Sequence, residues 1–234
     1  MKEEKYEQML ERAKRLMALA KNPGASVNES AIAWEQAQKI MNEYAIEDWQ
    51  LHRQERREDP IVEKKVDLYS DPMNELKAHL AGVVARGNRA DAYSLSHRTA
   101  AGRKVIDSVV FCGTERDCLQ TEMIWTSMET YLASHWSSAA QQEGIKPDAK
   151  WRNSYYTGFL IIVLLRYEKI RNEREENEPA AGARNELVRV RGGQVADYMR
   201  NMDLGESEIP ETMLDLNTAA FERGGLAAVH MALG

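Results

Sequence analysis

The sequence predicts an α+β fold: an N-terminal helical hairpin, then a larger domain in which a small antiparallel sheet packs with several helices. Three observations lead there. Apolar residues recur at helical spacing over residues 3–21 and again through Trp34, Ala37, Ile40, Met41 and Tyr44, with Asn22-Pro23-Gly24 between the two stretches. Two runs of strand-forming residues, Ala92–Arg98 and Lys104–Cys112, flank the turn Thr99-Ala100-Ala101-Gly102 and read as a β-hairpin. Several longer stretches with helical spacing follow that hairpin.

In chain order, the first helix carries Tyr6, Met9, Leu10, Ala13, Leu16, Met17 and Ala20 on one face. Ser26-Val27-Asn28-Glu29 has the form of a capping box and opens the second helix. Neither helix can bury its stripe alone, so each needs the other or the rest of the protein. Residues 47–60 are mostly charged and end at Pro60, which sets a boundary between a module at 1–50 and a domain at 61–234. Ile61–Leu68 reads as a strand. A helix follows from Asp71-Pro72 to Gly87, with Leu76, Leu80, Val83 and Val84 as its apolar face. After the hairpin, Gly113-Thr114 ends a strand and caps a helix that carries Trp125, Met128, Leu132, His135 and Trp136. A long helix is expected over Trp151–Glu173. Leu187–Arg191 reads as a short strand, Gly192-Gly193 as a turn, and Val195–Met199 as a short helix. Asp203–Asp215 is an acidic loop, and Leu216–Leu233 a last helix. Gly224 and Gly225 lie inside that helix, where they cost propensity unless a neighbour packs against the backbone.

The 234 residues suffice to bury a core without disulfides or metal. A net charge of −6 argues against a wholesale polycation but leaves room for a local basic patch. Cys112 and Cys118 stand in neither metal-site nor redox spacing, so reduced thiols in a cytoplasm are expected. The N-terminal residues lack the apolar stretch of a signal peptide. The apolar run Phe159–Leu165 rises only about 10 Å as a helix against a hydrocarbon core of ~30 Å, so no membrane partner is expected.

Ala13–Lys21 followed by Ala37-Gln38-Lys39-Ile40-Met41-Asn42-Glu43-Tyr44 resembles the family called domain of unknown function 2786. Val110–Asp117, Trp151–Phe159 and Ala219–Gly225 are similar to the domain of unknown function 7168 that usually follows it. The resemblance implies a bacterial or bacteriophage cytoplasm and frequent residence in mobile elements. It carries over no catalytic residue.

The residues that could carry chemistry point mainly to binding. His52, His79, His97, His135 and His230 stand in no ligand spacing, so neither metal nor cofactor is expected. Cys112, before a helix N-terminus, could in principle be an activated thiolate, although a buried strand cysteine is the more common case. Basic segments are the stronger signal. Residues 86–104 hold Arg86, Arg89, Arg98, Arg103 and Lys104 against Asp91, and residues 146–171 hold six cations against two carboxylates. In the second segment Lys150 and Arg152 interleave with Trp151 and Tyr155, as in proteins that stack single-stranded bases. The expectation is a non-enzymatic module that binds DNA or RNA through Arg86, Arg89, Arg98, Arg103, Lys104, Lys150, Trp151, Arg152 and Tyr155. The alternatives are an adaptor or inhibitor of a host or phage protein, using the Met-rich helices and the acidic loop, and an enzyme using Cys112 or a carboxylate pair.

Overall fold

A computed structural model describes residues 60–176, 182–202, 204–205, 215–229 and 231, with scattered positions between 8 and 40. Among the described residues the elements are β1 (Val62–Asp67), α1 (Asn74–Gly87), β2 (Asp91–Arg98), β3 (Lys104–Gly113), α2 (Glu115–Gln142), α3 (Ala149–Glu176), α4 (Gly182–Arg200) and α5 (Thr218–Val229). This is the α+β class the sequence predicts. Leu16, Ala37 and Ile40 are helical. The turn Asn22–Gly24, the capping box Ser26–Glu29 and the boundary segment 47–59 lie outside the described residues, as does most of the acidic loop. The chain forms two compact units, one of residues 60–165 and 191–229, the other of residues 1–59, 166–190 and 230–234. In the latter, Ala33 and Ala37 are buried, and the Arg166 guanidinium donates to the Met231 carbonyl oxygen.

The sheet lies in the first of these units. Its strand order is β1-β3-β2, and both neighbours run antiparallel to β3. β1 and β2 therefore run parallel to each other, joined by α1 crossing over, with β3 inserted between them. Strand pairing puts Lys64, Ala92 and Phe111 on one face, because side chains alternate sides along a strand. That face meets the helices. Phe111 packs edge-to-face on Trp125 of α2 at 5.7 Å, and Lys64 pairs with Glu122 of α2 at 2.8 Å. α1 buries Leu76, Leu80, Val83 and Val84, and α2 buries Ile124, Met128 and Leu132, each set at helical spacing. The Trp125 indole N–H donates to the Lys77 carbonyl at 3.0 Å, so the ring's one polar atom is satisfied inside the core.

One buried carboxylate ties the elements together. Thr114 is the N-cap of α2: its hydroxyl accepts from the Asp117 amide and donates to Asp117 Oδ2 at 2.8 Å. Asp117 is fully buried. It also accepts from Arg89 Nε at 2.8 Å and from an Arg191 guanidinium nitrogen of α4 at 2.9 Å. Arg89 continues to Gln120 Oε1 at 2.8 Å. Arg89 follows the end of α1 with φ +64°, a left-handed position where glycine is the usual residue. The Ala90 amide bonds back to the Ala85 carbonyl at 3.1 Å, which closes the helix end. A side chain in that conformation costs on the order of 1–2 kcal/mol. The ion pair with Asp117 offsets that cost and explains why arginine stands there.

α3 and α5 cross almost backbone to backbone. A Cβ on Gly158 would overlap the Phe221 carbonyl, and one on Gly224 would overlap the Tyr155 carbonyl. The glycines inside the last helix are thus explained as the sequence suggested, by a close neighbour. α5 begins two residues later than expected because Asn217 caps it: Asn217 Oδ1 accepts from the Ala220 amide at 3.0 Å. The Asn217 amide in turn donates to Ser154 Oγ of α3 at 2.8 Å.

The region from Leu187 to Met199 departs from expectation. The predicted strand, turn and short helix are one continuous helix, α4, which runs through Gly192-Gly193. Arg191, Val195 and Tyr198 share a helical face. Arg191 and Val195 are buried, and the Tyr198 hydroxyl donates to Glu63 Oε1 at 3.1 Å. Tertiary anchoring of that face outweighs the local alternation of Val and Arg.

Three substitutions test these contacts. Gly224→Ala is expected to lower the unfolding free energy by about 3 kcal/mol by forcing α3 and α5 apart. Gly192→Ala, where a Cβ meets nothing within 4 Å, is expected to raise it by roughly 0.5–1 kcal/mol. Urea denaturation of both checks the pair, and equal effects would contradict the close crossing. Asp117→Asn keeps the shape and removes the charge that two guanidiniums share. It is expected to cost about 3 kcal/mol in the same assay, and an unchanged midpoint would contradict the role given to Asp117.

Candidate nucleic-acid interface

The basic hairpin is the surface that the fold leaves standing. β1 pairs with β3 only as far as Asp67 opposite Ser108. Beyond that point β2 and β3 continue as a two-stranded ribbon to Arg98 opposite Lys104. The register shifts between Leu95 and Ser96, so Asp107 is the extra residue of a bulge on β3. Its carboxylate is turned onto His97 Nδ1, 2.8 Å away. At the tip the Thr99 amide donates to the Arg103 carbonyl at 2.9 Å, the Gly102 amide donates to the Thr99 carbonyl at 2.8 Å, and Gly102 takes φ +79°. This is a short three-residue loop of the kind that needs a left-handed glycine at its end. The Arg98 guanidinium donates one bond to the Gly102 carbonyl at 3.0 Å. Arg98, Arg103 and Lys104 are all exposed.

The expected interface residues therefore separate into groups. Arg98, Arg103 and Lys104 come together at the ribbon tip. Arg86 is exposed but pairs with Asp91 at 3.3 Å, at the opposite end of β2. Lys150 is exposed and pairs with Asp215 at 2.6 Å. Arg152 lies over the Trp136 ring, 5.6 Å from its centroid. Three residues are corrected. Arg89 is 8% exposed and spends its guanidinium on Asp117 and Gln120. Trp151 is 1% exposed and Tyr155 2%, so neither ring can receive a base. Trp151 is a core residue whose indole N–H donates to the Trp136 carbonyl at 3.1 Å. The reason is positional. Asp148 caps α3 through the Trp151 amide at 2.7 Å, which starts the helix with Trp151 and Tyr155 on the inward face, one turn apart.

Cys112 is also corrected as an activated thiol. It is wholly buried on β3, and burial first, then Glu63 and Asp91, push its thiol up to about 12. Cys118 is pushed up to about 12 as well, by burial and then by Cys112 and Asp117. Such thiols are protonated at neutral pH and make poor nucleophiles. Among the described residues no group of three His, Cys, Asp or Glu is placed to hold a metal ion. No helix among them is long and apolar enough to cross a membrane.

Sequence reading missed a polar cluster at the start of α1. Lys77 Nζ lies 2.9 Å from Asp71 Oδ2 and 3.6 Å from Glu129 Oε2 of α2. Burial tends to raise Asp71, but hydrogen bonds from the Met73 amide and Lys77, and the charges of Lys77 and Arg152, hold its carboxyl below the usual range. Glu129 goes the other way. Burial is the main cause, the Asp71 charge adds to it, Lys77 opposes it, and the result is about 7. Its Oε1 has no hydrogen-bond partner among the described residues. Tyr156 of α3 is held in its neutral form by burial and by the charges of Glu129 and Asp71. No signal in the sequence separates Glu129 from any other glutamate on an amphipathic helix, because its shift depends on burial and on Lys77 and Asp71, more than fifty residues away.

A glutamate whose value is raised on folding binds a proton more tightly in the folded chain. Its stabilising contribution is complete below about 4.5, the ordinary value, and is lost as pH rises through about 7. Glu129→Gln is expected to flatten that dependence. Relative to the variant, the wild-type chain should lose on the order of 3 kcal/mol between pH 4.5 and pH 8. Unfolding midpoints measured across that range check it, and parallel pH profiles would contradict it.

Residues 8–48 match a family described as "Protein of unknown function (DUF2786)", so the N-terminal segment is similar to that family. No curated protein and no solved structure matches the chain.

Proposed function

We propose that this protein is a non-enzymatic, nucleic-acid-associated binding module whose contact is the overhanging β2–β3 ribbon. The observation that carries this reading is the gathering of Arg98, Arg103 and Lys104, all exposed, on a ribbon that extends beyond the three-stranded part of the sheet. A two-stranded ribbon fits the major groove or can follow a phosphate backbone, and its cations gain affinity by releasing condensed counterions. Asp107 is the one carboxylate in the overhanging segment Ser96–Asp107, and it is turned onto His97. An acidic chain can bind nucleic acid in this way because the contact is local. The proposal includes a bacterial or bacteriophage cytoplasm as its setting, an expectation from the resemblance of the N-terminal segment. The protein-partner alternative stood on the N-terminal helices and on residues 203–215, which lie largely outside the described residues, and no observation favours it.

Fluorescence anisotropy against labelled single-stranded DNA, duplex DNA and RNA at low and moderate salt tests the proposal. The wild-type chain is expected to bind at least one of these, with affinity falling steeply as salt rises. Replacing Arg98, Arg103 and Lys104 together by Ala should weaken binding and reduce the slope of log affinity against log salt by about 2 on a single strand. An unchanged slope and affinity would contradict the assignment.

A further inference from the structure

We infer that Tyr69 is a base-stacking platform beside the ribbon, and that the partner is a single-stranded nucleic acid whose unpaired base rests on its ring. This inference rests on the reading of the ribbon as the phosphate-binding surface. It adds the residue and the strand type that this surface selects.

Tyr69 is 95% exposed, the most exposed large apolar side chain among the described residues. A lone exposed aromatic is ordinary on a protein surface. Two features set this one apart. The first is how its backbone is fixed. The preceding amide, Leu68 N–H, donates to the Asp107 carbonyl at 2.8 Å. The Asn74 side chain, buried at the start of α1, donates both to the Tyr69 carbonyl at 2.9 Å and to the Ile106 carbonyl at 3.0 Å. The chain is pinned on both sides of Tyr69, yet its ring touches almost nothing. A ring presented from a fixed point loses little conformational freedom when it binds.

The second feature is the company it keeps. The shared Asn74 brace sets Tyr69 beside Ile106, on the stretch of β3 that β1 no longer covers. Lys104 is two residues further along the same strand, a rise of roughly 7 Å, and Arg98 is its cross-strand partner. Exposed cations and an exposed ring borne on the same end of the sheet supply the two components of a single-strand site, one for phosphates and the other for a base face. Phosphate contacts alone would accept a duplex equally well. A base in a duplex is already stacked on both sides, so a tyrosine ring gains nothing from it, and the ring therefore favours an unpaired strand. The aromatics that the sequence offered for this task, Trp151 and Tyr155, lie in the core, whereas Tyr69 stands in the open.

The test uses the full chain and fluorescein-labelled single-stranded DNA, single-stranded RNA and duplex DNA of one sequence, with Tyr69→Ala and Tyr69→Phe compared to wild type. Tyr69→Ala is expected to weaken binding of the unpaired strands by roughly 5- to 100-fold, with the salt slope unchanged because phosphate contacts remain. Tyr69→Phe should bind as wild type does, and duplex affinity should not move. The DNA and RNA arms tell which single strand is preferred. An unchanged unfolding midpoint shows that Tyr69→Ala remains folded. Wild-type-like affinity of Tyr69→Ala for both single strands would overturn the role of Tyr69 and leave the ribbon reading standing. Absence of binding by the wild-type chain at low salt would overturn both.

Discussion

The carboxylate of Asp117 is the constraint on which the sheet-bearing unit depends. Three side-chain donors converge on it, from the N-cap of its own helix, from the end of α1 and from α4. A charge buried this deeply is tolerated only when opposite charge and hydrogen bonds replace the water it has lost. That requirement makes the geometry mutual. Arg89 must adopt a left-handed backbone to reach Asp117, and this fixes the corner between α1 and β2. Arg191 must face inward, and this fixes the rotation of α4. The base of the sheet is held by polar contacts as well as by apolar packing, while the opposite end of the β2–β3 hairpin extends freely.

The second constraint is steric. α3 and α5 cross where neither backbone carries a side chain. Small residues permit the approach, and Ser154 and Asn217 add a polar link at one end of it. The aromatic residues of α3 meet α2: Phe159 stacks on Tyr131, and the Trp151 indole donates to the Trp136 carbonyl. Trp151, Tyr155 and Phe159 repeat every four residues along the buried face. A basic segment with interleaved aromatics can thus be two separate things at once: cations on the outside of a helix and a core stripe on its inside.

This explains which parts of the structure were legible in the sequence. The strands and their hairpin were legible because period-two patterning and a Gly-ended turn are local signals. The N-cap at Thr114 was legible for the same reason. α4 was misread because Leu187-Val188-Arg189-Val190-Arg191 alternates like a strand. What makes it a helix is the anchoring of Arg191 to a residue 74 positions away, which no window of sequence contains. Arg89 was misread as a surface cation for a similar reason, since its partner is 28 residues distant. The cations of the hairpin tip, Arg98, Arg103 and Lys104, are exposed on the part of the ribbon that β1 does not reach. Tyr69 left no trace. A single aromatic between a strand and a helix start has no periodicity, and its exposure follows only from where β1 stops.

The most direct measurement is a map of backbone amide chemical shifts in the isotope-labelled chain during titration with a single-stranded oligonucleotide. If the overhanging ribbon is the interface, the perturbed amides will cluster at Leu68–Ser70 and His97–Asp107. Amides of the core strand and of the Asp117 corner, such as Phe111 and Gln120, will stay in place. Perturbations confined to residues 8–48, or spread along α3, would contradict the assignment of function to the ribbon.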